Sequence, residues 1–186
     1  MAARLSPWAI LCGRSLNRCV PRICRDDPWC IALTEPQGLL LTPSGESFAT
    51  GSAEYLDAHP EIHEPLPRIY VEFLPEGSAI SFMALLDTGG HYCILNTDVI
   101  DEIGDRLSDS FGQTELRTAH GLIRGGLHIH RITLVADMGA PLGIDATVFV
   151  SPDWRGPCFI GYTGALDRLN FAIHPRDNRF YFGPWG

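Results

Sequence analysis

A run of apolar residues that ends in an acid and two glycines constrains this chain more than any other feature of its sequence. The run is Ser81 to Leu86, typical of a β-strand buried on at least one side, and Asp87-Thr88-Gly89-Gly90 follows it. Asp87 is therefore predicted at a strand end, with its carboxylate partly removed from water. The glycines allow backbone conformations closed to other residues and leave nearby N–H groups free to bond a carboxylate or a substrate. The alternative is an ordinary surface turn, because Asp, Thr and Gly are common turn residues.

Two further motifs follow this turn along the chain. One is Leu116-Arg117-Thr118-Ala119-His120-Gly121-Leu122-Ile123-Arg124-Gly125, and the other is Cys158-Phe159-Ile160-Gly161. Together with Leu86-Asp87-Thr88-Gly89, they resemble, in the same order, the motifs of the retropepsin-like aspartic proteases. That single-domain family includes the retroviral proteases and many bacterial relatives. The resemblance covers Pro67 to Gly183.

The resemblance implies an all-β fold, a retropepsin-like closed β-barrel of the acid protease type with one or two short helices. It also implies that the second motif is a flap hairpin over the substrate and that the third supports the catalytic loop. The implied site residues are Asp87 as the catalytic group, Thr88, Gly89, Gly90, Ile160 and Gly161 as support for the catalytic loop, and Ala119, His120 and Gly121 as flap and substrate-binding residues.

The sequence departs from the family pattern in two places, and both bear on catalytic activity more than on the fold. Gly90 stands where the family usually has Ala or Ser, which loosens the catalytic turn. The spacing from Gly161 to Leu166 is one residue longer than in the retroviral members, which shifts the supporting helix. Neither departure removes a catalytic group.

One aspartate is insufficient for the chemistry that the resemblance implies. Peptide hydrolysis of this kind needs one carboxylate to activate water and a second to protonate the carbonyl oxygen, with the pair sharing a proton. The chain has no second Asp-Thr/Ser-Gly triplet. We therefore predict a homodimeric aspartic endopeptidase acting on a peptide or protein substrate, with one Asp87 from each copy. Because the dyad titrates as a unit, its activity profile is predicted to be bell-shaped, from acidic to near-neutral pH.

Other classes of function stay open at this point. A catalytically silent dimer of the same fold would bind peptides without cutting them. A metal-binding β-domain would use His128 and His130, which lie two apart on a predicted strand and so face the same side, although a solvated strand face is the more common role of such a pair. A cysteine nucleophile at Cys93 near His91 lacks an evident third group to orient it.

Composition narrows these possibilities. All 14 basic residues are arginine, which excludes Schiff-base lysines, pyridoxal attachment and phosphate-loop lysines. The sequence also lacks G-x-S-x-G, H-E-x-x-H and G-x-G-x-x-G motifs, and we predict no cofactor and no metal. A net charge of −8 argues against nucleic acid as a partner, because phosphate binding needs a basic face.

The 186 residues can bury one core, and the chain divides by composition into three parts. Residues 1–33 are predicted to be a basic, Cys- and Arg-rich leader without order. Residues 34–66 are predicted to be a Pro- and Gly-containing linker with a short helix near Ala53 to Ala58. Residues 67–186 are the predicted retropepsin-like domain.

The leader gives little indication of a membrane or an export route. Its apolar portion, Leu5 to Leu11, contains Pro7 and is too short for a stable membrane span or a signal peptide. Without a signal sequence, reduced cysteines and a cytoplasmic location are expected.

Within the predicted domain, strand and turn signals give a mostly β pattern. The predicted helices run from Thr97 to Leu107, with Thr97 as N-cap, and from Gly164 to Leu169. The predicted strands are Arg68 to Leu74, Ala79 to Leu86, His91 to Leu95, Gly126 to Ala136, Ala146 to Val150, Asn170 to Ile173 and Arg179 to Phe182.

Overall fold

The structure is a computed structural model that describes residues 47–61, 68–118 and 121–185. The described residues form eleven strands, one α-helix and two short 3₁₀ turns at Gly104–Arg106 and Leu166–Arg168. The helix is α1 (Thr97–Ile103), and the strands are β1 (Gly51–Glu54), β2 (Tyr70–Pro75), β3 (Phe82–Asp87), β4 (Cys93–Leu95), β5 (Gly112–Thr118), β6 (Gly121–Leu134), β7 (Met138–Gly139), β8 (Leu142–Val150), β9 (Cys158–Gly161), β10 (Leu169–His174) and β11 (Arg179–Pro184). None of the helices in these ranges combines the length and the apolar character that crossing a bilayer requires.

Most of the strands form a closed barrel. Seven strands lie in the order β2-β3-β9-β4-β8-β6-β5, and β2 also pairs with β6, so that six strands close into a ring and β5 extends from it. The core inside this ring contains fully buried side chains such as Phe73, Ile132 and Val148. Burial of each such side chain contributes about 1.5–3 kcal/mol to folding. The prediction of an all-β closed barrel with little helix is confirmed.

A second sheet has the strand order β10-β11-β1-β7. Its strand β1 lies inside the range 34–66 that we predicted to be a linker, and the helix predicted near Ala53 to Ala58 is wrong. Ala53 and Tyr55 are buried, whereas Glu54 between them is exposed, and this alternation suits a strand. β1 pairs with β11 from Gly51 opposite Phe182 to Glu54 opposite Arg179. The predicted leader, residues 1–33, lies outside the described residues.

The helix α1 is shorter than predicted and has a different cap. The side chain of Asn96 is the N-cap, since its oxygen accepts a hydrogen bond from the Val99 N–H at 3.1 Å, and Thr97 is the first helical residue. Gly104 ends the helix with a φ of 53°, a conformation that glycine adopts readily. The helix predicted from Gly164 to Leu169 is reduced to the 3₁₀ turn Leu166–Arg168.

Candidate active site

The first and third sequence motifs meet at one end of the barrel. β3 and β9 run parallel, and their register places Leu86 beside Ile160 and Asp87 beside Gly161. β9 also pairs with β4, so it lies between two strands that are consecutive in the sequence. The segment that joins β3 to β4 must therefore cross the end of β9. This crossing places Gly161, which is far from Asp87 in the sequence, beside the turn that follows Asp87.

The turn after β3 holds one oxygen of that carboxylate. The Gly89 N–H donates to Asp87 Oδ1 at 3.0 Å, and the Gly90 N–H donates to the backbone carbonyl of Asp87 at 3.2 Å. Asp87 Oδ2 has no hydrogen-bond partner in residues 47–61, 68–118 and 121–185. Asp87 is half-buried, whereas Thr88 and Gly89 are exposed. One carboxylate oxygen is thus fixed and the other is available to a ligand.

Gly161 supports the turn through its lack of a side chain. A Cβ built on Gly161 would overlap the carbonyl oxygen of Tyr92 and lie 3.1 Å from that of Gly90. The close approach is held by the Tyr162 N–H, which donates to the Gly90 carbonyl at 2.7 Å. Ile160, the other residue predicted to support the loop, is buried with 1% of its surface exposed. The backbone of 90–92 therefore lies directly on the end of β9.

The absence of a side chain at Gly90 leaves room for the Asp87 carboxylate rather than for the backbone. A Cβ built on Gly90 would lie 2.9 Å from Asp87 Oδ2 and 3.1 Å from its Cγ. Any larger residue at this position would press on the carboxylate as it is now oriented, because real Cβ atoms avoid such short contacts. The departure from the family pattern at Gly90 thus leaves open space beside the unbonded oxygen.

Asp87 faces a cleft of about 900 Å³. We define the cleft by its three walls: the turn Asp87 to Tyr92, the hairpin residues Glu115 to Thr118 with Ile123, and the loop Asp153 to Pro157. Its volume is in the range of pockets that bind small molecules or short peptide segments. A carboxylate at the wall of such a cleft can reach a bound substrate.

The hairpin wall of the cleft is formed by β5 and β6. These strands pair antiparallel from Gly112 opposite Leu127 to Thr118 opposite Gly121, so the predicted hairpin is present. Gly121 has a φ of 121°, which only glycine adopts easily. Ala119 and His120, predicted at the tip with Gly121, lie outside the described residues.

Trp154 is a cleft residue that the sequence analysis missed. Its indole N–H donates to the Pro157 carbonyl at 3.0 Å, and its ring meets that of Phe159 edge-on with centroids 5.7 Å apart. A Cβ on Gly156 would overlap the indole, so the loop closes tightly around this side chain. The available signal was a tryptophan between two prolines directly before the third motif.

The histidine pair considered as a metal site is divided between two environments. His128 Nδ1 lies 2.7 Å from the Ser108 carbonyl oxygen. His130 is 4% exposed, and its Nε2 is buried without a hydrogen-bond partner in the described part of the chain. No group of three or more His, Cys, Asp or Glu side chains within that part could hold a metal ion. Burial lowers the pKa of His130 below its ordinary value of 6.5, with smaller opposing effects from Glu76.

Burial of His130 predicts a loss of stability in acid. Because its pKa is lowered in the folded protein, the unfolded chain binds the proton more tightly, so stability is complete above about pH 6.5 and falls as the pH drops below it. Between pH 7 and pH 5 we therefore expect the Tm of the wild type to fall by more than that of His130→Leu. Thermal unfolding followed by circular dichroism measures the Tm of both proteins at each pH. Equal slopes for the two proteins would contradict the prediction.

The two described cysteines are poor nucleophiles. Cys93 and Cys158 are both buried, and burial raises the pKa of each thiol to about 12. At neutral pH both are protonated, whereas a cysteine nucleophile acts as the thiolate. His91, the base considered for Cys93, is exposed. Both thiols therefore serve as small apolar side chains in the barrel.

Comparisons with known proteins were made for the whole chain. No protein-family model matches it, and no curated protein is significantly similar. The crystal structures that are similar to it include the following two. One is a retropepsin-like aspartic protease from Rickettsia conorii, 12% identical, with the match covering 72% of this chain and 90% of that chain at a TM-score of 0.44. The other is the retroviral protease-like domain of Ddi1 from Leishmania major, 20% identical, covering 64% of this chain and 94% of that chain at a TM-score of 0.44.

Proposed function

We propose that this protein is an aspartic endopeptidase whose active site forms between two copies of the chain. The observation that supports this most is the state of the Asp87 carboxylate. It borders a cleft of about 900 Å³, one of its oxygens accepts the Gly89 N–H at 3.0 Å, and the other has no partner in the described ranges. This is the arrangement expected of a carboxylate that is held in place and still able to exchange a proton.

The reaction requires an ionised and a protonated carboxylate, one from each copy. The ionised Asp87 removes a proton from water, and the water oxygen attacks the peptide carbonyl carbon. The protonated Asp87 gives its proton to the carbonyl oxygen, which yields a tetrahedral intermediate. Collapse of the intermediate breaks the C–N bond, and the amine leaves with a proton from the dyad.

The turn residues have separate roles in this proposal. Thr88 is exposed, and its hydroxyl has no hydrogen bond to a described residue, so it is available to the other copy across the two-fold axis. Gly89 allows the two turns and the substrate to approach closely. Gly161 fixes the turn from below through its contact with Tyr92. The β5–β6 hairpin covers an extended peptide, whose backbone bonds to it as an added strand.

A second copy needs a surface on which to pair, and β10 offers one. In β11, the Phe182 carbonyl accepts the Thr50 N–H at 3.0 Å and the Asn178 carbonyl accepts the Tyr55 N–H at 2.9 Å. The even-numbered residues of β11 therefore direct their backbone groups toward β1. Because hydrogen-bonding direction alternates along an antiparallel ladder, the odd-numbered residues of β11 bond to β10.

The same alternation determines which backbone groups of β10 point away from β11. Phe171 is opposite Phe182 and Ile173 is opposite Phe180, both of which face β1. The N–H and C=O groups of Phe171 and Ile173 thus point away from β11, toward an edge on which no strand from the described ranges is paired. Unpaired backbone groups on a strand edge favour pairing with another chain.

β10 is also the least protected edge of the two sheets. Residues 169–173 contain no proline, glycine or charged residue, the features that natural edge strands use to prevent association. The edge strand β7 has only two residues, and β5 carries the exposed charges of Glu115 and Arg117. We infer that two copies pair β10 with β10 across the two-fold axis.

Digestion of a peptide library by the purified dimer tests the proposed activity. We expect cleaved products by mass spectrometry, with new termini at internal peptide bonds, and loss of these products when pepstatin is present. A catalytically silent peptide-binding dimer would instead retain library peptides without producing any new termini, and that outcome would overturn the proposal. Products that persist in pepstatin but disappear with a metal chelator would also overturn it.

A further inference from the structure

Three arginines and three acidic residues line the cleft. The whole chain carries a net charge of −8, yet three arginines, Arg68, Arg117 and Arg155, line the cleft. The acidic residues that line it, besides Asp87, are Glu115 and Asp153. Which of these charged groups already have partners decides what charge a bound ligand would meet.

One of the two acidic neighbours is already neutralised. Glu115 Oε1 lies 2.5 Å from Arg124 Nε, so this carboxylate is occupied by an arginine on the adjacent strand. Asp153 is exposed, and its carboxylate has no ion pair in residues 47–61, 68–118 and 121–185. With Asp87 reserved for the reaction, Asp153 is the one acidic residue lining the cleft that has no arginine partner among the described residues.

Arg117 and Arg155 lie on different walls of the cleft and neither has an acidic partner in the described part of the chain. Arg117 is exposed on β5, in the hairpin wall. Arg155 is in the loop wall, where its Nη1 donates to the Pro152 carbonyl at 2.6 Å and to the Trp154 carbonyl at 3.1 Å. These two bonds fix the position of the guanidinium and leave its other N–H groups for a ligand.

By contrast, most described arginines away from the cleft have acidic partners. The pairs are Arg124 with Glu115, Arg131 with Asp145, Arg168 with Asp167 and Arg179 with Asp137. Arg117 and Arg155 are thus arginines without acidic partners in the described ranges, and both line the cleft in which a substrate would lie. Guanidinium groups bind carboxylates through paired, charge-assisted hydrogen bonds.

The geometry points to a specificity for acidic peptides: Arg117 and Arg155 bind an aspartate or glutamate side chain of the substrate, close to the bond that is cut. This inference rests on the proposed peptidase activity, and it adds the class of substrate. The carboxylate would lie between the hairpin and the loop, which each contribute one of the two arginines. Both arginines are then specificity-determining residues and take no part in the proton transfers at Asp87.

A matched pair of peptides tests the inference. A cleaved library peptide with glutamate near the scissile bond is compared with the same peptide carrying glutamine. We expect the wild type to have a kcat/KM about tenfold higher for the glutamate peptide, the effect of one charged hydrogen-bonded pair. Arg117→Gln and Arg155→Gln should each reduce this preference, with kcat/KM falling more for the glutamate peptide than for the glutamine peptide. Arg176→Gln, on the turn between β10 and β11, should keep the full preference.

Binding separates failure of this inference from failure of the proposed function. Fluorescence anisotropy with Asp87→Asn measures the affinity of both peptides without turnover. Tighter binding of the glutamate peptide, with the difference lost in Arg117→Gln and Arg155→Gln, supports the inference even if no cleavage is found. Equal affinity for the two peptides, equal kcat/KM values, or a preference that survives both arginine substitutions would overturn it.

Discussion

Asp87→Asn is expected to lower kcat for peptide cleavage by about 10²–10⁴-fold, the contribution of a positioned general acid and base. An amide can neither take a proton from water nor give one to the peptide carbonyl. The fold should be unchanged, because the Asn oxygen can still accept the Gly89 N–H that Asp87 Oδ1 accepts at 3.0 Å. Initial rates on a cleaved library peptide, with Tm measured in parallel, separate loss of chemistry from loss of structure.

Asp153→Asn is the matched control, since Asp153 lines the same cleft and loses the same charge. It should keep kcat within a few-fold of the wild type. Mixing wild-type and Asp87→Asn subunits provides a further test, because each mixed dimer has only one carboxylate and should be inactive. Full activity of the Asp87→Asn homodimer, or activity proportional to the wild-type fraction, would refute the shared dyad.

Ile173→Pro is expected to separate the dimer into monomers and so to remove activity. The N–H of Ile173 points away from β11, so proline deletes no hydrogen bond to a described residue and is tolerated at such an edge. Across a two-fold axis, two hydrogen bonds of about 1 kcal/mol each are lost, which weakens the dimer Kd by about 30-fold. Sedimentation velocity over a concentration series measures Kd, and activity should fall with the fraction of dimer.

Ile173→Ala is the control for this substitution. Ile173 packs partly against the core, and both variants lose that packing, but alanine retains the N–H. The alanine variant should therefore remain largely dimeric. Equal weakening of the dimer by both substitutions would show that side-chain packing, and not the strand edge, holds the copies together. An Ile173→Pro protein that stays fully dimeric would exclude β10 as the interface.

The sequence predicted the parts of the site that depend on local pattern. The apolar run before Asp87 and the apolar run before Gly161 each identify a buried strand ending at a turn, and the structure places those ends side by side. Strand β1 was missed because its partner β11 is about 130 residues away, and no local signal connects Gly51 with Phe182. A four-residue strand has little pattern of its own.

Other differences arise where neighbouring residues have similar chemistry. Asn96 and Thr97 are both good helix caps, and tertiary packing selects Asn96 as the cap. Trp154 lines the cleft only because the loop before β9 folds over it, as the bond to Pro157 shows. That Arg117 and Arg155 line one cleft likewise depends on how the barrel brings β5 and the loop before β9 together, which composition alone cannot specify.

The insertion of β9 between β3 and β4 has a consequence for biosynthesis. Asp87 leaves the ribosome more than 70 residues before Gly161, which completes the support of its turn. A nascent chain that has not reached β9 has the aspartate but lacks the strand beneath it, and it also lacks β10, which comes later still. Contacts between distant segments form late in folding. We therefore expect a growing chain to be unable to cut itself or its neighbours until β9 and β10 have been synthesised.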